Sequence, residues 1–205
     1  MLASSALAAC DTMSRPLPPE SVDAQDALAL ARFLEGDRQG FSELVRRHAP
    51  GVNALCTRMV GRAVGEELAQ ESFARAYASL DQLRRDTHFR HWVYRIALNL
   101  CRDHLKSARA RETATDFSIA EETIAEGSAT AHERAESRQA LKALERALSE
   151  LPPKYREAFV LWHVEHLSYE AMAEIAGADV GALKVRVHRA REMLRKMMGE
   201  LLDQE

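Results

Sequence analysis

The sequence lacks the features that indicate a disulfide framework, a metal site or a membrane span. Its three cysteines, Cys10, Cys56 and Cys101, are widely spaced and form no CxxC motif, so neither a disulfide framework nor a zinc site is indicated. A reduced, cytoplasmic setting fits this cysteine usage best. No apolar run approaches the length that is needed to span a bilayer. We therefore expect a cytoplasmic protein that binds no metal or other cofactor and does not insert into a membrane.

Recognisable catalytic motifs are also missing. Histidines such as His48, His163 and His166 do not have the spacing of a metal-binding HExxH motif. The chain has no phosphate-binding glycine loop, and no candidate nucleophile has a suitable partner residue. We therefore predict that the protein is not an enzyme and that its residues have structural or DNA-binding roles.

The sequence also lacks the sustained alternation of apolar and polar residues that predicts β-strands. Residues 1–22 are rich in Ala, Ser and Pro and are predicted to be a disordered leader. Helical periodicity then extends over residues 23–108, with helices expected at 27–35, 41–60, 66–83 and 89–108. Residues 109–132 have few large apolar side chains and are predicted to be a flexible, acidic linker. Residues 133–205 are again helical, so we predict an all-α fold of two small helical domains.

The formal net charge of −3 does not by itself indicate a nucleic-acid-binding protein, but the charges are unevenly distributed. Residues 84–111 have eight Lys or Arg against two Asp, and residues 181–197 have six against one Glu. The intervening residues 112–150 have nine Asp or Glu against four Lys or Arg. Two basic segments separated by an acidic one indicate two contact surfaces for an extended polyanion.

The C-terminal basic segment belongs to a pattern of two helices joined by a tight turn, at residues 167–196. Ser168 is a predicted N-cap, Gly177 can adopt the positive φ that ends the first helix, and Asp179 can cap the second. Two stripes recur at helical spacing in the second helix, an apolar stripe of Leu183, Val187, Ala190 and Leu194 and a basic stripe of Lys184, His188, Arg191 and Arg195. This pattern is typical of a helix-turn-helix whose second helix enters the major groove. A surface helix with a solvated basic face is the alternative.

The other basic segment includes a helix with both cationic and aromatic residues. Its apolar stripe consists of Val93, Ile96, Ala97 and Leu100, and its polar stripe consists of Arg95, Asn99, Arg102 and Lys106. Phe89, His91, Trp92 and Tyr94 cluster at its start, beside Arg84 and Arg85. Cations bind phosphates and aromatic rings stack on unpaired bases, so this helix is a candidate site for single-stranded nucleic acid. The alternative is that the aromatic residues are part of the core.

Two segments of the sequence resemble two conserved regions of a single protein family, and they occur in the same order as in that family. Residues 64–106, VGEELAQESFARAYASLDQLRRDTHFRHWVYRIALNLCRDHLK, resemble region 2 of the extracytoplasmic-function (ECF) sigma factors of the sigma-70 family. Residues 151–191, LPPKYREAFVLWHVEHLSYEAMAEIAGADVGALKVRVHRAR, resemble region 4. With the preceding helices, the resemblance covers residues 25–198. About 25 residues separate the two domains, too few for the intervening domain of larger sigma factors, so the resemblance implies two domains.

The resemblance implies a subunit that binds core RNA polymerase and directs promoter-specific initiation. By this likeness, region 4 would recognise the −35 element as duplex, with candidate contacts at Ala182, Lys184, Val185, Arg186, His188, Arg189, Arg191 and Arg195. Region 2 would capture the −10 element as a single strand, with candidate contacts at Arg84, Arg85, Phe89, Trp92, Arg95, Asn99, Arg102 and Lys106.

The same resemblance implies protein partners. The clamp coiled coil of the polymerase would be bound by Glu67, Gln70, Glu71 and Arg75. The polymerase flap would be a second contact, and an anti-sigma factor is a further implied partner. Ala182 and Val185 stand where the family often has Thr and Ser, and Arg84 and Arg85 stand where a Gly is frequent. No promoter sequence can therefore be transferred from the family.

The alternative function is that of a helix-turn-helix transcriptional regulator that does not act as a sigma subunit. Such a regulator would need a receiver or ligand-sensing domain. Residues 25–108 do not show the alternation of strands and helices that a receiver domain requires. Transcription from an unmelted promoter with core polymerase would distinguish the two functions.

Overall fold

A computed structural model describes residues 19–80, Leu83, residues 88–111 and residues 143–202, and the regular elements in these segments are all helical. The N-terminal group consists of α1 (Pro19–Leu34), α2 (Gln39–Val60), α3 (Arg62–Ala78) and α4 (Phe89–Arg111). The C-terminal group consists of α5 (143–150), α6 (Pro153–Phe159), a π-helical turn (Val160–Val164), α7 (Tyr169–Ala176) and α8 (Val180–Leu202). The predicted all-α fold with two helical regions is confirmed.

Some helix boundaries differ from those expected. Helix α1 begins at Pro19, inside the predicted leader, because a proline in the first helical turn has no intrahelical N–H bond to lose. Helix α4 continues to Arg111, three residues into the predicted linker. Helix α3 ends at Ala78 rather than near residue 83, and the Ser79 hydroxyl donates a hydrogen bond to the Arg75 carbonyl at 2.7 Å. The rest of the predicted leader (1–18) and of the predicted linker (112–132) lies outside the described residues.

The N-terminal group is a bundle built around α2 and α4. The fully buried side chains of α2 include Leu44, Val52, Leu55 and Met59, and those of α4 include Val93, Ala97, Leu98 and Cys101. The predicted apolar stripe of α4 is therefore on its buried side. Helices α2 and α3 approach closely because Gly65 has no side chain: a Cβ there would lie 2.6 Å from the Thr57 Cα atom.

In the C-terminal group, α8 packs against α5, α6 and α7. Its predicted apolar stripe is confirmed as the buried side, since Leu183, Ala190 and Leu194 are fully buried and Val187 is 1% exposed. The N-terminal part of this stripe packs with Met172 and Ile175 of α7. Its C-terminal part closes a separate cluster with Leu148, Leu151 and Phe159. This packing determines which side chains of α8 face the other helices and which face solvent.

The two helical groups are packed against each other. Met172, Ile175 and Ala176 of α7 belong to the same buried cluster as Val93 and Ala97 of α4. The sequence pattern predicted two domains on a tether and gave no reason to expect this contact. As a result, one side of α4 faces α7 instead of solvent.

Candidate nucleic-acid interface

The turn of the helix-turn-helix has the caps that its sequence predicts. The Ser168 hydroxyl oxygen accepts a hydrogen bond from the Ala171 amide at 3.1 Å, and Gly177 ends α7 with a φ of 64°. The Asp179 carboxylate accepts hydrogen bonds from the amides of Gly181 (2.7 Å) and Ala182 (3.2 Å). These caps satisfy donors at both helix starts and fix the direction in which α8 leaves the turn.

The outer side of α8 presents most of the residues predicted to contact the −35 element. Ala182, Lys184, Val185, His188, Arg189 and Arg195 are exposed, and Arg186 is half-buried. Val185 is 57% exposed, which is unusual for a β-branched apolar residue on a well-packed helix. Ala182, Val185 and Arg189 follow one another at intervals of three and four residues, so they lie along one line of the helix surface. An apolar and cationic line of this kind suits a groove that presents both thymine methyl groups and phosphates.

Lys184 is held in a defined position on this surface. Its Nζ atom lies 5.5 Å from the centre of the Tyr169 ring. The Tyr169 ring is itself stacked on the Trp162 ring, with centroids 4.0 Å apart and planes inclined by 18°. A cation over an aromatic face is stabilised by the ring quadrupole. Tyr169 and Trp162 therefore restrict the freedom of a lysine that would otherwise be mobile.

Arg191, by contrast, is turned toward the protein. Its Nε–H donates to His163 Nε2 at 2.7 Å, and the His163 ring lies against Phe159 with centroids 4.5 Å apart. The bond requires His163 Nε2 to be unprotonated, since it acts as the acceptor. In this arrangement Arg191 is half-buried and contributes to packing as well as to the charge of the surface.

The polar stripe of α4 contacts the C-terminal group. Arg95 Nη2 donates to the Glu174 carbonyl at 2.6 Å, and Arg102 Nη2 donates to the Ala176 carbonyl at 2.9 Å. Arg102 also binds both carboxylate oxygens of Glu157, at 2.9 Å and 2.7 Å. Two of the cations predicted to bind the −10 element are therefore occupied by α6 and α7. Arg95, Asn99 and Lys106 nevertheless remain exposed, and Arg102 is half-buried.

The aromatic residues at the start of α4 are mostly in the core. Phe89 is 2% exposed and packs against Phe41 and Trp92, with ring centroids 6.4 Å and 6.0 Å away. Trp92 is half-buried and Tyr94 is buried. In this arrangement the Phe89 ring does not reach the surface. Arg84 and Arg85, which were predicted to stand beside these rings, lie outside the described residues.

Several polar contacts between the two helical groups could not be predicted from the sequence. The Tyr94 hydroxyl donates to the Glu165 carboxylate, and Arg90 donates to the Glu165 carbonyl at 2.9 Å. The Glu165 carboxylate is buried, and this burial raises the pKa of Glu165 above its ordinary value, although the Tyr94 hydrogen bond and the nearby Arg90 and Arg58 charges lower it.

Arg156 is the most buried arginine in this contact. It is 5% exposed, and it donates to the Met59 carbonyl of α2 at 2.6 Å and to the Leu151 carbonyl at 3.1 Å. Burial lowers the pKa of Arg156 to about 10, so it remains cationic at neutral pH. The sequence offered one signal: Arg156 and Glu157 are adjacent charges that directly precede the apolar run from Ala158 to Trp162, and a charge that is buried beside such a run needs a partner.

The four residues predicted to bind the polymerase clamp are all exposed on α3. They are Glu67, Gln70, Glu71 and Arg75. Arg75 Nε lies 2.7 Å from Glu71 Oε1, an ion pair across one helical turn. Gln70 and Glu71 lie three and four residues after Glu67, and Arg75 lies four after Glu71, so these side chains share one exposed side of the helix.

The described segments contain neither a membrane-spanning helix nor a cluster of metal ligands. None of their helices is both long and apolar enough to cross a bilayer. Within the same residues, no group of three His, Cys, Asp or Glu side chains is arranged to hold a metal ion.

Comparison with known families matches both helical groups. The family described as Sigma-70 region 2 matches residues 44–112, and the family described as Sigma-70, region 4 matches residues 141–194. The ECF RNA polymerase sigma factor SigW of Bacillus subtilis is 31% identical over 175 residues, which cover 82% of this chain and 93% of that protein.

Two solved structures are similar in fold. The sigma factor RpoE of Bartonella quintana, solved with the anti-sigma factor NepR, has a TM-score of 0.65 and 24% identity, covering 78% of this chain and 96% of that one. CnrH, solved with the cytosolic domain of CnrY, has a TM-score of 0.61 and 26% identity, covering 88% of this chain and 99% of that one.

Proposed function

Because this chain belongs to the ECF sigma factors of the sigma-70 family, we propose how its two helical groups share promoter recognition. The C-terminal group, region 4, binds the −35 element as duplex through α8. The N-terminal group, region 2, binds core polymerase through α3 and captures the −10 element as a single strand through α4. The protein acts by binding rather than by catalysis, and it does so in the cytoplasm, where core polymerase transcribes DNA.

The proposal rests mainly on which side chains the first turns of α8 expose to solvent. Asp179 caps the helix start, Leu183 and Val187 anchor its inner side, and Lys184 and Val185 are left on the outside. A recognition helix contacts base edges with its N-terminal residues, and those are the residues presented here. Arg189 and Arg195 follow on the exposed side and are suited to phosphates.

Region 2 supplies a second, different type of contact. Lys106 and Asn99 are exposed on α4, and Arg95 and Arg102 lie on the same stripe. Cations spaced by one helical turn can follow a phosphate backbone, while the half-buried Trp92 offers an aromatic edge for an unpaired base. Arg84 and Arg85 precede this helix in sequence and extend its positive charge.

Each region alone offers few contacts, and a single module of this size binds DNA weakly at physiological salt. Joining both regions to polymerase raises the effective concentration of each at its element. On the polymerase side, Glu67, Gln70, Glu71 and Arg75 of α3 dock on the clamp coiled coil, and region 4 contacts the flap.

An anti-sigma factor is a further proposed partner. RpoE of Bartonella quintana, which has a similar fold, was solved in complex with the anti-sigma factor NepR, and CnrH was solved with the cytosolic domain of CnrY. A partner of this type would keep the chain from polymerase until it is released.

The proposal is tested by comparing DNA binding by the free chain and by holoenzyme reconstituted with core polymerase. We expect holoenzyme to retain duplex promoter fragments in a mobility assay at physiological salt and the free chain to retain them poorly. Lys184→Ala should reduce retention by holoenzyme, whereas Lys154→Ala, which removes an exposed lysine from α6, should not. Tight and specific retention by the free chain would contradict the proposal that strong promoter binding requires both regions to be joined to polymerase.

A further inference from the structure

The guanidinium of Arg191 is held by one of its nitrogens. Its Nε–H donates to His163 Nε2 at 2.7 Å, and the half-buried Arg191 lies between the exposed His188 and Arg195 on the basic stripe of α8. Among the described residues, His163 is the hydrogen-bond partner of this guanidinium and engages Nε alone. The Nη1 and Nη2 atoms are therefore available to a ligand. Paired N–H donors of an arginine bind a carboxylate or a phosphate bidentately.

His163 is itself held in place by the π-helical turn. Its ring lies against the Phe159 ring, with centroids 4.5 Å apart and planes inclined by 34°. The turn is closed by a hydrogen bond of 3.1 Å from the Glu165 amide to the Val160 carbonyl, five residues earlier. Single π-helical turns are rare and occur frequently at functional sites. The acceptor that holds Arg191 thus belongs to an unusual and well-supported part of the backbone.

Arg191 lies too far along α8 to contact base edges. A recognition helix contacts bases with its N-terminal residues. Arg191 follows Ala182 by nine residues, which is about 14 Å along the axis at 1.5 Å per residue. This exceeds the width of the major groove, about 12 Å, so Arg191 lies beyond the base edges and at the level of the phosphate backbone.

We infer that Arg191 binds a phosphate of the −35 duplex and that His163 is a positioning residue, which holds the guanidinium with Nη1 and Nη2 directed at that phosphate. This inference rests on the proposed binding of the −35 element by α8. His163 acts through Arg191 and does not touch the DNA. Phosphate contacts of this kind fix the orientation of a protein on the duplex without selecting a base.

Positioning increases affinity because an arginine that is already ordered loses less side-chain freedom on binding. The loss for one mobile side chain corresponds to about two- to tenfold in affinity. Lys184 has a comparable support, since it lies over Tyr169 and Tyr169 stacks on Trp162. Trp162 and His163 are consecutive residues of the π-helical turn. One turn therefore supports two cations of the basic stripe.

The inference is tested with the full chain bound to core polymerase and a duplex promoter fragment that the parent holoenzyme retains from genomic DNA. Two variants separate the acceptor from the ring: His163→Gln keeps an acceptor, and His163→Phe keeps a ring beside Phe159. The control is His166→Asn, which removes an exposed histidine and tolerates the backbone φ of 50° at that position. We expect His163→Phe to bind the fragment about two- to tenfold more weakly, and His163→Gln and the control to bind it like the parent.

The role of Arg191 is measured separately. Arg191→Ala should reduce the slope of log affinity against log salt concentration by about 0.9, the value for one phosphate contact, and should leave the preferred −35 sequence unchanged. Arg191→Lys keeps the cation and lacks the Nε donor. In that background, exchange of His163 for Phe should change the affinity little, because the bond between the two residues is already lost.

Four results would overturn the inference: equal weakening by His163→Gln and His163→Phe, no weakening by either, additive losses in His163→Phe/Arg191→Lys, or an unchanged salt slope in Arg191→Ala. Urea denaturation reports whether each variant folds. If His163→Phe does not fold, His163→Gln and Arg191→Ala decide, since weaker binding by the first or an unchanged slope in the second contradicts the inference. Failure of the parent holoenzyme to retain any genomic fragment would instead refute the proposed function.

Discussion

Arg102 of α4 binds Glu157 of α6 through two hydrogen bonds, of 2.9 Å and 2.7 Å, across the contact between the two helical groups. Glu157 is 5% exposed at its side chain and Arg102 is 29% exposed. The carboxylate is thus buried with its partner, while the guanidinium retains access to solvent. Arg102 therefore lies at the edge of the contact between the two groups, and it is also one of the cations that we propose for binding the −10 element.

The first prediction concerns Gly51 on α2. A Cβ there would lie 1.9 Å from the Tyr94 hydroxyl oxygen and 2.8 Å from Glu165 Oε2, so Gly51→Ala must displace buried groups of both helical regions. We expect the free energy of unfolding to fall by about 1–3 kcal/mol, as for other overpacked cores. Urea denaturation of the full chain measures the change.

The control for this substitution is Gly199→Ala on α8, where a Cβ would meet no atom within 4 Å. Alanine is favoured over glycine inside a helix by roughly 0.5–1 kcal/mol, so this variant should be slightly more stable than the parent. Equal effects at the two glycines would mean that the space around Gly51 is not the limiting factor.

The second prediction concerns pH. Burial raises the pKa of Glu165 above its ordinary value of 4.5. In the pH interval between the unfolded and folded pKa values, the folded protein binds a proton that the unfolded chain has lost. The stability that this group contributes is complete below the unfolded pKa and is lost as the pH rises through the folded pKa.

Gln at position 165 cannot ionise and imitates the protonated carboxyl. We therefore expect the stability of Glu165→Gln relative to the parent to increase as the pH rises above 4.5, by about 1.4 kcal/mol for each unit that separates the two pKa values. Urea denaturation of both proteins between about pH 5 and pH 8 measures this difference. A constant difference over that range would show that Glu165 does not titrate with a raised pKa.

The sequence predicted the helix-turn-helix well because its determinants are local. Ser168, Gly177 and Asp179 act on amides within three residues or on their own backbone, and the inner stripe from Leu183 to Leu194 follows from helical periodicity alone. Such features depend on residues that are close in the chain, so their pattern is visible without coordinates.

The interpretation of α4 depended on contacts that are distant in sequence. Arg95 and Arg102 have the spacing of a solvated cationic stripe, and nothing in that spacing shows that α7, more than 70 residues later, lies on it. The aromatic residues were ambiguous for the same reason: Phe89 and Tyr94 are in the core, while Trp92 is half-buried. Helical periodicity identifies faces but does not identify which face a distant element covers.

The third prediction concerns the position of Lys184. Tyr169→Leu removes the ring that lies 5.5 Å from Lys184 Nζ, whereas Tyr169→Phe keeps the aromatic face and removes only the hydroxyl. We expect Tyr169→Leu to weaken −35-dependent binding by holoenzyme about two- to fivefold and Tyr169→Phe to behave as the parent, since a cation over a ring is stabilised by about 0.5–1 kcal/mol at exposed sites.

Lys184→Ala should cost more, because a lost base contact costs about 1–3 kcal/mol. Combining Lys184→Ala with Tyr169→Leu should add little to the effect of Lys184→Ala alone. Additive losses in this double-mutant cycle would show that Tyr169 acts independently of Lys184.

The fourth prediction concerns polymerase binding. Gln70 and Glu71 are exposed on α3, so Gln70→Ala and Glu71→Ala should leave folding unchanged. Because both side chains lie in the proposed contact, each substitution should reduce affinity for core polymerase by about 1 kcal/mol or more. The matched control is Glu35→Ala, which removes an exposed carboxylate directly after α1. Titration of fluorescently labelled core polymerase gives the affinities. Normal binding by both α3 variants would place the docking surface elsewhere.

Run-off transcription on fully duplex genomic fragments with purified core polymerase tests the central claim most directly. We expect discrete transcripts only when this chain is added. Their start sites should define paired −10 and −35 elements, and Lys184→Ala should reduce their yield while Lys154→Ala leaves it unchanged. Absence of chain-dependent transcripts, or initiation that requires DNA melted beforehand, would contradict the assignment of promoter recognition and opening to this protein.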